Sequence, residues 1–202
     1  MSDLRVVLAS SSPRRRELLA MIGVPHEVVP ADLDERYLPG EDAAAHAERL
    51  AREKAAVVAG TPAARDALVI AADTIVVVDG DVLGKPRDAE HAAEMLQRLS
   101  GRAHTVHTAV AVRLGDREAF GVESPLVTFR PLDRATIEAY IGTGEPMDKA
   151  GAYGIQGYGA TLVRRVEGDY FAVMGLPLQR TVALAESLGA SYLFRGLRVA
   201  RR

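Results

Sequence analysis

The chain of 202 residues contains no cysteine, which removes disulfides, thiolate metal ligands and cysteine nucleophiles in one step. It also lacks a strong excess of charge of either sign. A formal net charge of −2 gives no general reason to bind nucleic acid or an anionic membrane, so any anion site must come from local clustering. No run of about 18 apolar residues occurs, and the N-terminus lacks a signal-peptide pattern; a cytoplasmic protein with no membrane partner is therefore expected. No internal repeat is visible. Several catalytic patterns are missing as well. Ser10 is not set in a Gly-x-Ser-x-Gly elbow. Lys85, in Leu83-Gly84-Lys85-Pro86, is followed by proline where a phosphate-binding Walker loop needs Ser or Thr. His104 and His107 lie three apart in a segment that alternates like a strand, so they face opposite sides and do not chelate one metal.

With 48% hydrophobic and 26% charged residues, the chain can bury a core as one domain or two closely joined lobes. Strand-like and helix-like segments alternate. A buried strand is expected over 4–9, a helix over 13–22 closed by Gly23, a short strand over 26–30 and a longer helix from about 41 to 58. Residues 67–78 form an apolar strand, and Asp79-Gly80 is the clearest hairpin signal. Asp88 caps a helix that ends near Ser100-Gly101. Strands over 103–113 and 119–130, a helix over 133–141, a glycine-rich stretch over 142–159, a hairpin turned at Glu167-Gly168 and a helix over 177–188 complete the pattern. Helix crossovers and tight hairpins together imply a mixed α/β fold.

Charge placement marks the candidate chemistry. Arg14, Arg15 and Arg16 follow Ser10-Ser11-Ser12-Pro13 at the start of the first helix, where Pro13 suits the first turn and Ser12 can cap it. Positive side chains stand there at the positive end of the helix dipole. That arrangement makes sense where an anion is held by N–H groups, hydroxyls and guanidinium together; the alternative is arginines splayed into water. Asp73 is the one ionisable group within the apolar run 68–78, and a carboxylate in a buried strand needs a partner or a metal. Lys54 lies on the apolar face made by Ala47, Leu50, Ala51, Ala55 and Val58, where it either snorkels or meets an anion. The segment from Asp148 to Gly157 mixes charged, aromatic and amide groups with three glycines, and reads equally as a surface turn or as a wall for a polar ring with Gln156 both donating and accepting. Arg195, Arg198, Arg201 and Arg202 read as a solvated terminus.

Taken together, Ala9-Ser10-Ser11-Ser12-Pro13-Arg14-Arg15, Leu50-Ala51-Arg52-Glu53-Lys54-Ala55, Ala72-Asp73-Thr74, Gly84-Lys85-Pro86-Arg87 and Asp148 to Gly157 resemble the Maf family of nucleoside triphosphate pyrophosphatases, in order from about residue 4 to residue 189. The resemblance implies a single Maf/ITPase-like domain over 1–202, two lobes around an elongated mixed sheet with flanking helices and a central nucleotide cleft. The tail over 190–202 lies outside it and receives no role. It implies hydrolysis between the α- and β-phosphates, a divalent cation (magnesium or manganese) and a homodimer. Arg14, Thr74 and Gln156 look like the specificity positions of the branch acting on dTTP and UTP, with modified pyrimidine triphosphates as further substrates. Ser10, Arg14 and Arg15 would bind substrate beside Thr74 and Gln156, while Asp73, Glu35, Lys54 and Lys85 would carry catalysis and Glu35 and Asp73 hold the metal. Ser11 departs from the glycine common in relatives, adding a hydroxyl. An alternative implied role is a nucleotide-binding regulator of cell division (septum formation) without essential catalysis; retention of both carboxylates favours the enzyme.

Overall fold

A computed structural model describes residues 2–199. In chain order the elements are β1 (Ser2–Asp3), β2 (Val6–Leu8), α1 (Pro13–Met21), β3 (Glu27–Val28), α2 (Ala43–Ala59), β4 (Leu68–Val78), β5 (Asp81–Leu83) and α3 (Ala89–Leu99). There follow β6 (Ala103–Leu114), β7 (Arg117–Glu123), β8 (Leu126–Phe129), α4 (Arg134–Gly142), β9 (Val163–Glu167), α5 (Tyr170–Met174), α6 (Leu178–Ser187), β10 (Ala190–Tyr192) and β11 (Leu197–Val199). Short 3₁₀ turns occupy Glu145–Asp148, Ala150–Ala152 and Gly157–Thr161. The main sheet is mixed and eight-stranded, in the order β3-β2-β4-β6-β8-β9, with β5 on β4 and β7 on β6. The expected α/β class is therefore what the chain adopts.

The chain divides into two compact units, and the boundary cuts β4 between Asp73 and Thr74 and β6 between His107 and Thr108. The first unit comprises 1–73, 108–122 and 175–202. Within it β2 lies between β3 and β4, parallel to both, with Val7 opposite Glu27 and Val69. Parallel neighbours need crossovers, and α1 supplies the one between β2 and β3. A strand with parallel neighbours on both edges reads as a continuous apolar run, and Val6, Val7, Leu8 and Ala9 are all buried. Leu18 and Leu19 of α1 and Leu50, Ala51, Ala55 and Val58 of α2 are buried in the same unit. Asp42 caps α2 by accepting from Ala45 N at 2.8 Å.

The second unit comprises 74–107 and 123–174. Its core gathers Val76 and Val78 from β4, Ala92, Met95, Leu96 and Leu99 from α3, Val127 and Phe129 from β8, Ile137 and Tyr140 from α4, and Tyr153 and Leu162. The β4–β5 hairpin turns at Asp79-Gly80, both with positive φ (54° and 84°), the pattern that matches strand twist. Asp88 caps α3 as expected, and Asp133, expected within the helix itself, caps α4.

Three expectations are corrected. The strand anticipated over 119–130 is two strands, β7 and β8, separated at Ser124-Pro125, where proline has no N–H for a ladder. No hairpin turns at Glu167-Gly168: β9 is followed by α5, because Asp169 Oδ1 accepts from Phe171 N at 2.7 Å and Ala172 N at 3.1 Å and starts a helix instead. The tail from residue 190 is structured, since β10 and β11 pair antiparallel and β11 also pairs β1, forming a three-stranded sheet. Arg198 of that tail meets Asp3 at 3.0 Å rather than only water; Arg201 and Arg202 lie outside the described residues.

Candidate active site

At the head of α1 the expected Ser12 cap does not form. Ser12 takes the extended backbone of a cap, but its side chain makes no capping bond. The hydroxyl engaged just ahead of the helix is that of Ser10. Its Oγ accepts from Ser12 N at 3.2 Å and from Arg15 Nη1 at 3.1 Å. Arg15 is directed inward: Nη1 also donates to Ala72 O at 2.7 Å and Nε to Gly175 O at 2.8 Å. Burial lowers its pKa from the ordinary guanidinium value, and the Arg14 charge adds to this, whereas the carboxylates of Asp73 and Glu35 act in the opposite sense. The guanidinium that opens the helix is thus fixed beside Asp73 by backbone carbonyls. Arg14 is half-buried and Arg16 exposed.

Lys54 does not snorkel. Its side chain is 10% exposed, and Nζ donates to Asp73 Oδ1 at 2.7 Å while standing 2.7 Å from Glu35 Oε1. Three groups far apart in sequence therefore meet at one ammonium. β4 presents Asp73, α2 presents Lys54 from its apolar face, and the loop after β3 presents Glu35. The two carboxylates differ in setting, with the Asp73 side chain 12% exposed and that of Glu35 58% exposed.

A network that the sequence did not reveal holds the loop of Glu35 on α2. Glu41 accepts from Arg49 Nε at 2.7 Å and Nη2 at 2.9 Å and from Leu38 N at 3.1 Å, and His46 Nδ1 lies 2.7 Å from Glu41 Oε2. Arg49 Nη2 also donates to Arg36 O at 2.9 Å. Tyr37 stacks flat on the buried His46 ring, their centroids 3.5 Å apart. Residues 36–38, next to Glu35, are thereby pinned to the helix that carries Lys54. The hydrogen bonds from Arg49 hold the Glu41 carboxyl far below the usual range. Burial, then the charge of Asp73, pushes the Tyr37 hydroxyl up. No heptad or i,i+4 spacing signals this network in advance, because its acid lies ahead of the helix cap.

The remaining site candidates belong to the second unit: Thr74, Lys85 and Gln156. Thr74 is half-buried; Lys85 and Gln156 are exposed. The loops of the latter two are joined, as Gly151 N donates to Gly84 O at 3.0 Å. Of the two readings of 148–157, a plain surface turn does not describe it: Gly151 to Ile155 are buried and only then does Gln156 emerge. His104 is buried in this unit, its Nε2 2.8 Å from the Tyr153 hydroxyl, while His107 Nδ1 lies 2.9 Å from Ser124 Oγ. The two histidines thus have separate partners, as their strand spacing requires.

Among the described residues, no three His, Cys, Asp or Glu side chains are grouped to hold a metal ion. A magnesium-like ion does not need such a cage, because one or two carboxylates with water and phosphate oxygens suffice. Glu35 and Asp73, two hard oxygen donors drawn to one cationic point, suit that coordination.

Residues 5–188 match the family described as Maf-like protein. A protein of Symbiobacterium thermophilum named dTTP/UTP pyrophosphatase is 52% identical over 186 residues, covering 92% of this chain and 94% of the relative. A Moorella thermoacetica protein of the same name is 54% identical over 191 residues, with 92% and 95% coverage. The Staphylococcus aureus Ham1 protein structure is a remote likeness on which nothing here rests, with 14% identity, a TM-score of 0.42 and coverage of 62% of this chain and 71% of that one. With the match spanning nearly the whole chain and identities above one half, this chain belongs to the Maf family.

Proposed function

We propose that the protein hydrolyses dTTP and UTP to the nucleoside monophosphate and pyrophosphate. The observation that carries the reading is the Lys54 ammonium held between Asp73 and Glu35, beside an inward-turned Arg15 at the head of α1. Relatives at about half identity bear the name of that activity. No helix among the described residues is long and apolar enough to cross a membrane.

Phosphoryl transfer needs neutralised charge and an in-line nucleophile more than covalent help. Ser10, Arg14, Arg15 and Lys54 bind the triphosphate through hydroxyl, guanidinium and ammonium donors. Asp73 accepts the proton of a water whose oxygen attacks the α-phosphorus; the bond from that phosphorus to the bridging oxygen breaks, and its electron pair leaves with pyrophosphate. Lys85 offsets charge on the departing group. Glu35 and Asp73 would hold a divalent cation. When bound, magnesium or manganese neutralises phosphate charge and acidifies water. Thr74 and Gln156 recognise the base, the Gln156 amide matching the adjacent acceptor and N–H of thymine or uracil. Physiological substrates then include normal or modified pyrimidine triphosphates, and the active form is a cytoplasmic homodimer. A division regulator that only senses nucleotide would need the cations, not the paired carboxylates, and is the weaker reading.

The test is pyrophosphate release from a panel of nucleoside triphosphates with magnesium, with manganese and with EDTA. Turnover of dTTP and UTP above the purines, abolished by EDTA and restored by either metal, is expected. Equal rates on all bases would remove the pyrimidine assignment, and activity in EDTA would remove the metal.

A further inference from the structure

The exposed Gln156 emerges from a loop that closes on two side chains outside it, Glu145 and Tyr140. Glu145 Oε2 accepts from Tyr158 N at 2.9 Å, and Oε1 accepts from Gly159 N at 2.9 Å and from the Tyr140 hydroxyl at 2.9 Å. That hydroxyl oxygen in turn accepts from Gly154 N at 3.1 Å. Backbone amides at 154, 158 and 159 are therefore tied to one hydrogen-bonded pair, and these three positions bracket Gln156 on both sides. Tyr158 and Gly159 lie in the first turn of the short 3₁₀ segment Gly157–Thr161, where backbone N–H groups look outside the helix for acceptors, and Glu145 supplies them. Gly157 has φ of 63°, and a Cβ there would collide with Glu145 Oε2. A Cβ at Gly159 would collide with Gly154 O and the Tyr140 hydroxyl. The loop is thus moulded against the pair, with no room for side chains at the contact.

Burial tends to raise the Glu145 carboxyl, yet the amides of Gly159 and Tyr158, the Tyr140 hydroxyl and the charge of Lys149 outweigh it and hold the group below the usual range. Lys149 also donates to Glu145 O at 2.6 Å, fixing the turn that starts at Glu145. Tyr140 is 5% exposed and seated in the core of its unit. The anchor is accordingly rigid where the anchored segment is irregular.

We propose that Glu145 and Tyr140 are positioning residues that aim the Gln156 amide and thereby set pyrimidine selectivity. This rests on the base-reading role given to Gln156 above. Hydrogen-bond recognition discriminates only when donor and acceptor are held in place, because a mobile amide can rotate to accommodate the wrong edge.

Glu145→Gln keeps shape but offers an NH2 to an amide that needs an acceptor, so at least one bond to the loop is lost. Tyr140→Phe removes the hydroxyl and leaves the ring in the core. The readout is kcat/KM for dTTP relative to dATP, with KM and kcat separated and thermal unfolding followed in parallel. Each variant should lower that ratio about tenfold, equivalent to about 1.4 kcal/mol, mainly through KM for dTTP. Gln156→Ala should lower it at least as far, and Glu145→Gln combined with Gln156→Ala should lower it no further than Gln156→Ala alone. A loss of stability without a change in the ratio, or losses that add in the double variant, would overturn the positioning role while leaving the pyrimidine reading intact. If Gln156→Ala leaves the ratio at its starting value, or the unaltered protein shows no pyrimidine preference, the base-reading assignment falls and this inference falls with it.

Discussion

Lys54→Met keeps most of the volume of the side chain but removes the ammonium that stands 2.7 Å from both Asp73 Oδ1 and Glu35 Oε1. The two arms of that contact are unequal. Glu35 is 58% exposed, so water replaces its partner and the loss is at most about 1 kcal/mol. Asp73 is 12% exposed in an apolar strand, and breaking a buried pair on one side costs roughly 3–5 kcal/mol. The Arg15 charge near Asp73 compensates in part, which brings the expectation toward the lower end, about 3 kcal/mol. For a chain of this length that corresponds to a fall in melting temperature of roughly 6–12 °C. Lys54→Met/Asp73→Asn removes the stranded charge and should recover most of the lost stability, whereas hydrolysis should stay abolished in both variants. Circular dichroism melts and pyrophosphate release measure the two quantities separately. If Lys54→Met melts within about 2 °C of the parent, Asp73 does not depend on Lys54 for its place in the strand, and the proposed centre loses its electrostatic basis.

Asp73→Asn alone should reduce turnover by several orders of magnitude with triphosphate binding largely kept; parent-like rates would remove Asp73 from the mechanism. His104 gives an acid sensitivity unrelated to catalysis. Burial lowers its pKa to about 4 from an ordinary 6.5, and its Nδ1 has no protein partner. The unfolded chain then binds more protons than the folded one between those values, so stability declines as pH falls from about 6.5 to 4, by roughly 3 kcal/mol at about 1.4 kcal/mol per pH unit. Denaturant titrations across that interval should show the decline, and His104→Gln should flatten it; an unchanged slope in that variant would assign the acid response to other groups.

Local chemistry made much of this protein legible in advance. Asp73 stood out because a lone carboxylate in an apolar strand is expensive, and Lys54 because it occupies an apolar helix face; the structure pairs the two directly. The cap at Asp88 and the Asp79-Gly80 turn are short-range signals that act within four residues, and each is realised. Ser12 looked like a cap by the same logic and takes a cap's backbone, yet its side chain makes no capping bond, and the hydroxyl engaged at that end is Ser10, held by Arg15.

The amino-acid order alone determined the alternation of strands and helices, the absence of thiol chemistry and the residues with charge in costly places, since those depend on propensity, period and transfer free energy. Tertiary structure decided which charges meet. Lys54 finds both Glu35 and Asp73, Glu41 latches the loop of Glu35 through Arg49 and His46, and Glu145 and Tyr140 seize the loop of Gln156. Such contacts join segments whose separation along the chain carries no fixed spacing, and their geometry exists only once the chain has closed on itself.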